Sequence, residues 1–298
     1  MVPRQPRLVG AIEGSRRTQL VMVHILVTGA TGMLGTDVVE ALSAHNVSAF
    51  SRAELDIEDA DAVLSAVAGH DVVINTAAYT KVDDAESNEP QAFLVNARGA
   101  ENLAVAAREV GARLIHLSTD YVFNGSATSP YAESTPREPI SAYGRTKAAG
   151  EELVLAAHAD STAIVRTAWL YGEHGPNFVD TMLRLAGERE TLQVVDDQHG
   201  QPTWSRDLAQ RIADLVDAGV PAGIFHGTNS GETTWFGLAR RVFEISGLDP
   251  ERIQPTDSSS FVRPAPRPQY SVLGHDAWAK IGMQPMRSWD DALAERLT

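Results

Sequence analysis

Val23-His-Ile-Leu-Val-Thr28-Gly29-Ala-Thr-Gly32-Met33-Leu34-Gly35-Thr-Asp37-Val38-Val39 runs from a β-branched apolar stretch, through three glycines, into apolar residues at helical spacing. A short buried strand, a tight turn and an amphipathic helix are the reading this pattern demands. In that context the glycines take separate tasks. Gly29 permits the sharp turn, Gly32 lets the backbone approach a pyrophosphate, and Gly35 allows the helix to pack closely on the strand. The spacing is G-x-x-G-x-x-G and not the G-x-G-x-x-G of the standard dinucleotide fingerprint. An ordinary strand-to-helix turn therefore stays open as an alternative.

Outward from this turn the chain alternates. Val47–Phe50, Asp71–Asn75, Arg113–Leu117 and Thr162–Arg166 read as strands. Ala60–Val67, Phe93–Val110 and Ala142–Ala157 read as helices. Such alternation implies βαβ units and a parallel sheet covered on both faces, that is, a Rossmann-type doubly wound α/β fold. After about residue 170 the pattern loosens, with helices expected at Phe178–Ala186, Arg206–Ala218 and Trp235–Ile245 and strands at Leu192–Val195 and Gly223–His226. The Pro- and Ser-rich stretch 255–270 reads as irregular. The expected organisation is a dinucleotide-binding domain over 23–170 and a smaller, partly interleaved substrate lobe over 171–298, part of which returns to the first domain.

Bulk composition narrows the function. A net charge of −14 disfavours general nucleic-acid or anionic-membrane binding. The absence of cysteine excludes disulfides, zinc–thiolate sites, iron–sulfur clusters and a thiol nucleophile, and it suits a reducing compartment. No apolar run is long enough to span a bilayer, so a cytoplasmic location is the default expectation. Residues 1–22 are expected to form a disordered extension or to precede a start at Met22; a targeting or binding arm is the alternative.

The end of the second strand separates NAD from NADP in such folds. Here Ser51-Arg52 stands there, and Arg52 suits the 2′-phosphate of NADPH. Asp56, with Ile57, is placed to meet the adenine or else to cap the next helix. Tyr143-Gly-Arg-Thr-Lys147 puts a phenol and an ammonium on one helix face. A fixed cation is expected to make the phenol more acidic, and so a usable general acid toward a carbonyl. Thr119, with Ser118 as the near alternative, follows the fourth strand and can orient a substrate oxygen. Asp120 either contacts a sugar or caps the next segment. Ala77 and Ala78, before Tyr79, leave room for a cofactor. Trp169, Trp204 and Trp235 offer aromatic faces, and Arg263 and Arg267 offer charge for a diphosphate. His116, Glu173 and His174 do not form a ligand set by spacing, so no metal is assigned.

These residues, in this order, resemble the extended short-chain dehydrogenase/reductase superfamily. More narrowly, residues 23–295 resemble the dTDP-4-dehydrorhamnose reductase family. The specific stretches are Asn75–Glu86 (NTAAYTKVDDAE), Leu117–Phe123 (LSTDYVF), Tyr143–Glu151 (YGRTKAAGE), Arg166–Tyr171 (RTAWLY), Met182–Ala186 (MLRLA) and Asp196–Thr203 (DDQHGQPT). The resemblance implies reduction of the C4 ketone of a dTDP-sugar with NADPH, NADH also being accepted in the family. It implies Tyr143 as acid, Lys147 as its partner and Thr119 as the third polar group, with Asp120 and Trp169 at the substrate. Gly32, Met33, Leu34, Asp56, Ile57, Ala77, Ala78 and Tyr79 would line the cofactor. Some members bridge a dimer through carboxylates and Mg²⁺. Asp37 falls where one such carboxylate occurs and the others have no evident counterpart, so monomer and homodimer both stay open. Other sugar-nucleotide reductases or epimerases of the superfamily are the enzymatic alternative. A non-catalytic relative, resembling the regulatory subunit of methionine adenosyltransferase, is the binding alternative; the intact Tyr143, Lys147 and Thr119 argue against it.

Overall fold

The computed structural model describes residues 22–298; the expected N-terminal extension over 1–21 lies outside the described residues. The first half runs β1 (His24–Thr28), α1 (Met33–Ala41), β2 (Asn46–Phe50), α2 (Ala60–Val67), β3 (Val72–Asn75), α3 (Val82–Ala85), α4 (Glu89–Phe93), α5 (Ala100–Val110), β4 (Arg113–Thr119), α6 (Ala142–His158) and β5 (Thr162–Thr167). It continues through β6 (Leu170–Tyr171), α7 (Phe178–Ala186), β7 (Leu192–Val195), β8 (His199–Gly200), β9 (Thr203–Trp204), α8 (Ser205–Asp217) and β10 (Gly223–His226). The chain closes with β11 (Asn229–Ser230), β12 (Thr233–Thr234), α9 (Trp235–Ile245), β13 (Ile253–Thr256), α10 (Asp276–Lys280), β14 (Met286–Ser288) and α11 (Trp289–Leu297).

Six strands form one sheet in the order β10-β5-β4-β3-β1-β2, and every pair is parallel. Alternation inside the apolar runs decides which helix each side chain meets. Ile25, Val27, Ile74, Ile115 and Val165 pack with Leu34 and Val38 of α1 and Leu208 and Ile212 of α8. Leu26, Val73 and Leu114 pack on the other face with Val63 of α2, Leu103 of α5 and Val154 of α6. Strand β10, far along the chain, returns to the sheet edge beside β5. A separate core of Val179, Met182, Leu238, Val242, Phe243 and Leu293 supports the C-terminal lobe.

The strand order reverses around β1, whose neighbours are β2 and β3, so the glycine turn sits where an open sheet leaves its crevice. The helix expected over Phe93–Val110 begins earlier and is not α-helical throughout. Residues Leu94–Gly99 form a π-helical turn between α4 and α5. This segment turns Asn96 inward. Its side chain accepts from Tyr79 N (2.8 Å) and donates to Tyr79 O (3.2 Å) and to Thr146 Oγ1 of α6 (3.0 Å). Single π turns of this kind are common at functional sites.

Candidate active site

A cavity of about 930 Å³ opens over the carboxyl ends of β1, β3 and β4. Its inner wall is the glycine turn. Gly29 has φ +68°, and a Cβ there would stand 2.7 Å from Ala77 N; side chains larger than hydrogen are excluded from that crossing. Gly35 is as tightly held, since its Cβ would stand 2.2 Å from Gly29 O. Gly32, Met33 and Leu34 complete this wall. Asp56 and Ile57 line the adjoining side, and Ala77, Ala78 and Tyr79 line the side beyond β3. Asn75 stitches the strand ends together beneath: its Oδ1 accepts from Thr28 Oγ1 (2.8 Å) and Ala77 N (3.1 Å).

Arg52 also lines the cavity, its side chain 74% exposed and 3.6 Å from Glu58. Ser51 does not. Its amide and hydroxyl both donate to Glu54 (2.8 and 2.7 Å), which ties it into the local turn. Asp56 also serves its own loop, accepting from Glu58 N at 3.1 Å, while the helix cap proper is Asp59. Sequence reading weighed Glu173 and His174 only as metal ligands and missed that Glu173-His174-Gly175-Pro176 form the opposite wall. The stretch lies beyond the periodic first half.

The floor is formed by α6 and the end of β4. Ser141 caps α6, accepting from Gly144 N at 3.1 Å. A Cβ on Gly144 would meet Tyr121 O at 2.2 Å, so the helix start is pressed against the segment after β4. Tyr143 and Lys147 both face the cavity and both are buried. Lys147 Nζ donates to Leu117 O at 2.6 Å. Burial pushes the Lys147 ammonium down to about 8, with the Glu151 carboxylate opposing. The expectation of an acidified phenol is not met. Burial first, then the Asp120 carboxylate, push Tyr143 above the usual tyrosine range, a hydrogen bond with Thr119 opposing them. The phenol is therefore fully protonated near neutrality, with the ammonium turned to a backbone carbonyl.

Thr119 ends β4 beside this pair, its hydroxyl donating to Asp120 Oδ1 at 2.8 Å. Ser118, the alternative, lines the cavity on the other side of the strand. Asp120 is 2% exposed, and its Oδ2 has no hydrogen-bond partner among the described residues. Burial pushes its carboxyl up to about 6, opposed by the Ser271 and Thr119 hydroxyls.

A second cavity, about 410 Å³, is lined by Tyr121 and by residues between 178 and 267. It touches the first through an aromatic contact: Tyr121, on its wall, meets Tyr143 edge-on at 5.6 Å between ring centres. Phe178, Met182, Trp235 and Phe261 form its apolar side, and Arg263 and Arg267 line it too. Of the three candidate tryptophans, Trp235 lines this cavity. Trp169, at φ +46°, is stacked on Trp235 at 3.7 Å between ring centres and supports it, while Trp204 is core. The two arginines differ. Arg267 is bonded to Asp83 of α3 and to Ala265 O, whereas Arg263 is 63% exposed and 3.9 Å from Asp83. Arg263 is thus the more available cation.

Asp37, Glu40 and His174 bring donor atoms within 4.8 Å of one another, a grouping the spacing did not reveal. Asp37 is buried, its Oδ2 unpartnered among the described residues and its Oδ1 3.5 Å from His174 Nε2. One imidazole beside two carboxylates is a poor match to the all-oxygen preference of Mg²⁺.

Residues 23–298 match the family described as the RmlD substrate binding domain. The chain is 52% identical over 274 residues to a dTDP-4-keto-6-deoxy-D-glucose reductase of Streptomyces niveus, covering 91% of this chain and 95% of that one. It is also 52% identical over 278 residues to a dTDP-4-dehydrorhamnose reductase of Streptomyces griseus, covering 91% of each. The crystal structure of dTDP-4-dehydrorhamnose reductase from Bacillus anthracis in complex with NADP superposes with a TM-score of 0.89 at 38% identity, covering 93% of this chain and 99% of that one. A glycine turn and a buried Tyr–Lys pair on one sheet edge are common to many reductases; with agreement along the whole described chain, this protein belongs to the dTDP-4-dehydrorhamnose reductase family of NADPH-dependent oxidoreductases.

Proposed function

We propose that the protein reduces the C4 ketone of dTDP-4-dehydro-L-rhamnose to dTDP-L-rhamnose, with NADPH in the first cavity and the sugar nucleotide reaching in from the second. The observation that carries this is the contact of the two cavities at Tyr143, where a buried phenol meets Tyr121 on the wall of the second cavity. Residues 23–170, with β10, hold the cofactor in this reading, and most of 171–298 holds the sugar nucleotide.

The cofactor supplies a hydride to C4 when bound. The chain supplies the rest. The glycine turn presents α1 amide groups to the pyrophosphate. Arg52 offers its guanidinium to a 2′-phosphate. Tyr143 Oη gives its proton to O4 as the carbonyl becomes an alcohol. A high proton affinity holds that proton until negative charge forms on the oxygen, and Lys147, on the same face of α6, is the cation that stabilises the phenolate in this reading. Thr119 and Asp120 orient the sugar, and Arg263 with Trp235 receives the diphosphate and base.

The Streptomyces niveus relative favours a second reading, in which the ketone belongs to dTDP-4-keto-6-deoxy-D-glucose. Mixing the protein with NADPH and each 4-keto sugar nucleotide, following nicotinamide absorbance and identifying the product by NMR, decides between them. Binding of NADPH without oxidation by any 4-keto-6-deoxy sugar nucleotide would defeat both.

A further inference from the structure

Tyr143, Lys147 and Glu151 are spaced four apart on α6 and share one face of the helix. Glu151 is fully buried, yet it is clamped by charge. Arg166 of β5 donates from Nε to Oε1 at 2.8 Å and from Nη2 to Oε2 at 2.7 Å, and Arg137 adds a bond to Oε2 at 3.3 Å. Arg166 is paired in register with Ser118, the residue after Leu117, whose carbonyl receives Lys147. A bidentate ion pair therefore lies directly behind the floor of the first cavity. Apolar side chains fill such a position at least as well for stability alone.

We propose that Glu151, held ionised by Arg166, is a positioning residue that keeps Lys147 an ammonium at Leu117 O. This rests on the reading of Lys147 as the partner of Tyr143. Burial works against that charge, and the Glu151 carboxylate opposes it. Burial alone would also raise Glu151, but the Arg166 bonds overturn this and leave it below the usual carboxylate range. His116 of β4, the other titratable group beside Lys147, is kept neutral by burial and by that ammonium, with Nδ1 taken by Asn75. His226 of β10 lies 3.4 Å from Arg166, and Glu133 gives Arg166 its backbone carbonyl. Other charges packed on α6 are engaged at its ends or outer face: Glu86 with Ala142 N, Glu89 with Arg145, and Arg108 with Ala157 O. Asp120 faces Tyr143 and not Glu151.

The test uses full-length protein and two readouts across pH: NADPH affinity from nicotinamide fluorescence, and kcat/KM. The wild-type basic limb is expected near the Lys147 value of about 8. The double variant Glu151→Leu/Arg166→Met replaces the pair by packing side chains, and both limbs should move down by about 1 pH unit. Arg166→Met alone leaves Glu151 buried without the Arg166 bonds that hold it ionised, so the limbs should move down there as well. A buried pair with only a structural role would lower stability and leave both limbs in place. Unmoved limbs in the folded double variant, or limbs that move up in Arg166→Met, overturn the proposal. Lys147→Met is run in parallel; near-normal affinity and turnover there would instead sink the reading of Lys147 itself.

Discussion

Replacing Asp120 by asparagine should change how stability depends on pH more than it changes stability at any one pH. The carboxyl is 2% exposed and titrates at about 6, against an ordinary 3.8. The folded state thus holds a proton that the unfolded chain releases between these values. By linkage, stability falls as pH rises through that window. The full gap, at about 1.4 kcal/mol per unit, is worth roughly 3 kcal/mol above pH 7 and nothing well below pH 4. Between pH 4 and pH 8, with the unfolded group already half ionised at the lower end, about 2 kcal/mol remains. The carboxamide of the Asp120→Asn variant does not titrate. It keeps the acceptor for Thr119 but brings an amide where Oδ2 has no partner. That cost is the same at every pH and cancels when the two pH values are subtracted. Urea unfolding of both proteins by tryptophan fluorescence at pH 4 and pH 8 measures the difference. The variant should gain about 2 kcal/mol on wild type between the two; curves displaced by a constant amount would refute the buried, late-titrating carboxyl.

Tyr143→Phe should lower turnover by on the order of 10²–10⁴-fold and leave NADPH affinity nearly unchanged, as measured by stopped-flow absorbance and fluorescence titration; near-normal turnover would remove the phenol from the reaction. Arg52→Asp should weaken NADPH by about tenfold while NADH affinity holds or improves, because the guanidinium is exposed and adds one charge-assisted contact. An unchanged ratio of the two affinities would exclude Arg52 as a reader of the 2′-phosphate. Gly35→Ala sets a Cβ 2.2 Å from a backbone oxygen that cannot swing aside. It should cost about 1–3 kcal/mol in stability and weaken NADPH as the turn is displaced; a wild-type melting temperature would show that the helix can retreat freely.

What could be read from sequence was local. The glycine turn, the small residues after β3 and the Tyr143/Lys147 pair each declare themselves within a few residues, through a backbone demand or a helical period. Asn96 does not, because a π turn must rotate it inward before it can hold Tyr79. Nor does the sequence show that Glu54, three residues on, accepts from the Ser51 amide and hydroxyl. The acidity expected of Tyr143 failed because spacing shows that a cation is near but not that both groups are buried, nor that a carbonyl has first claim on the ammonium.

Contacts distant in sequence decide the substrate side. Asp83 and Arg267, separated by 184 positions, bind the proline-rich segment of the C-terminal lobe to α3, and Asp83 also accepts from Ala265 N. The Arg267 charge also approaches Tyr121, whose ring touches Tyr143. An arginine that suits a diphosphate by type is thus held by a carboxylate of α3 beside Tyr121, while Arg263, exposed and 3.9 Å from the same carboxylate, is held more loosely. Two arginines equivalent in the sequence differ because only one of them reaches Asp83 closely. A substitution at Asp83 would therefore act on the second cavity through its wall, by releasing Arg267.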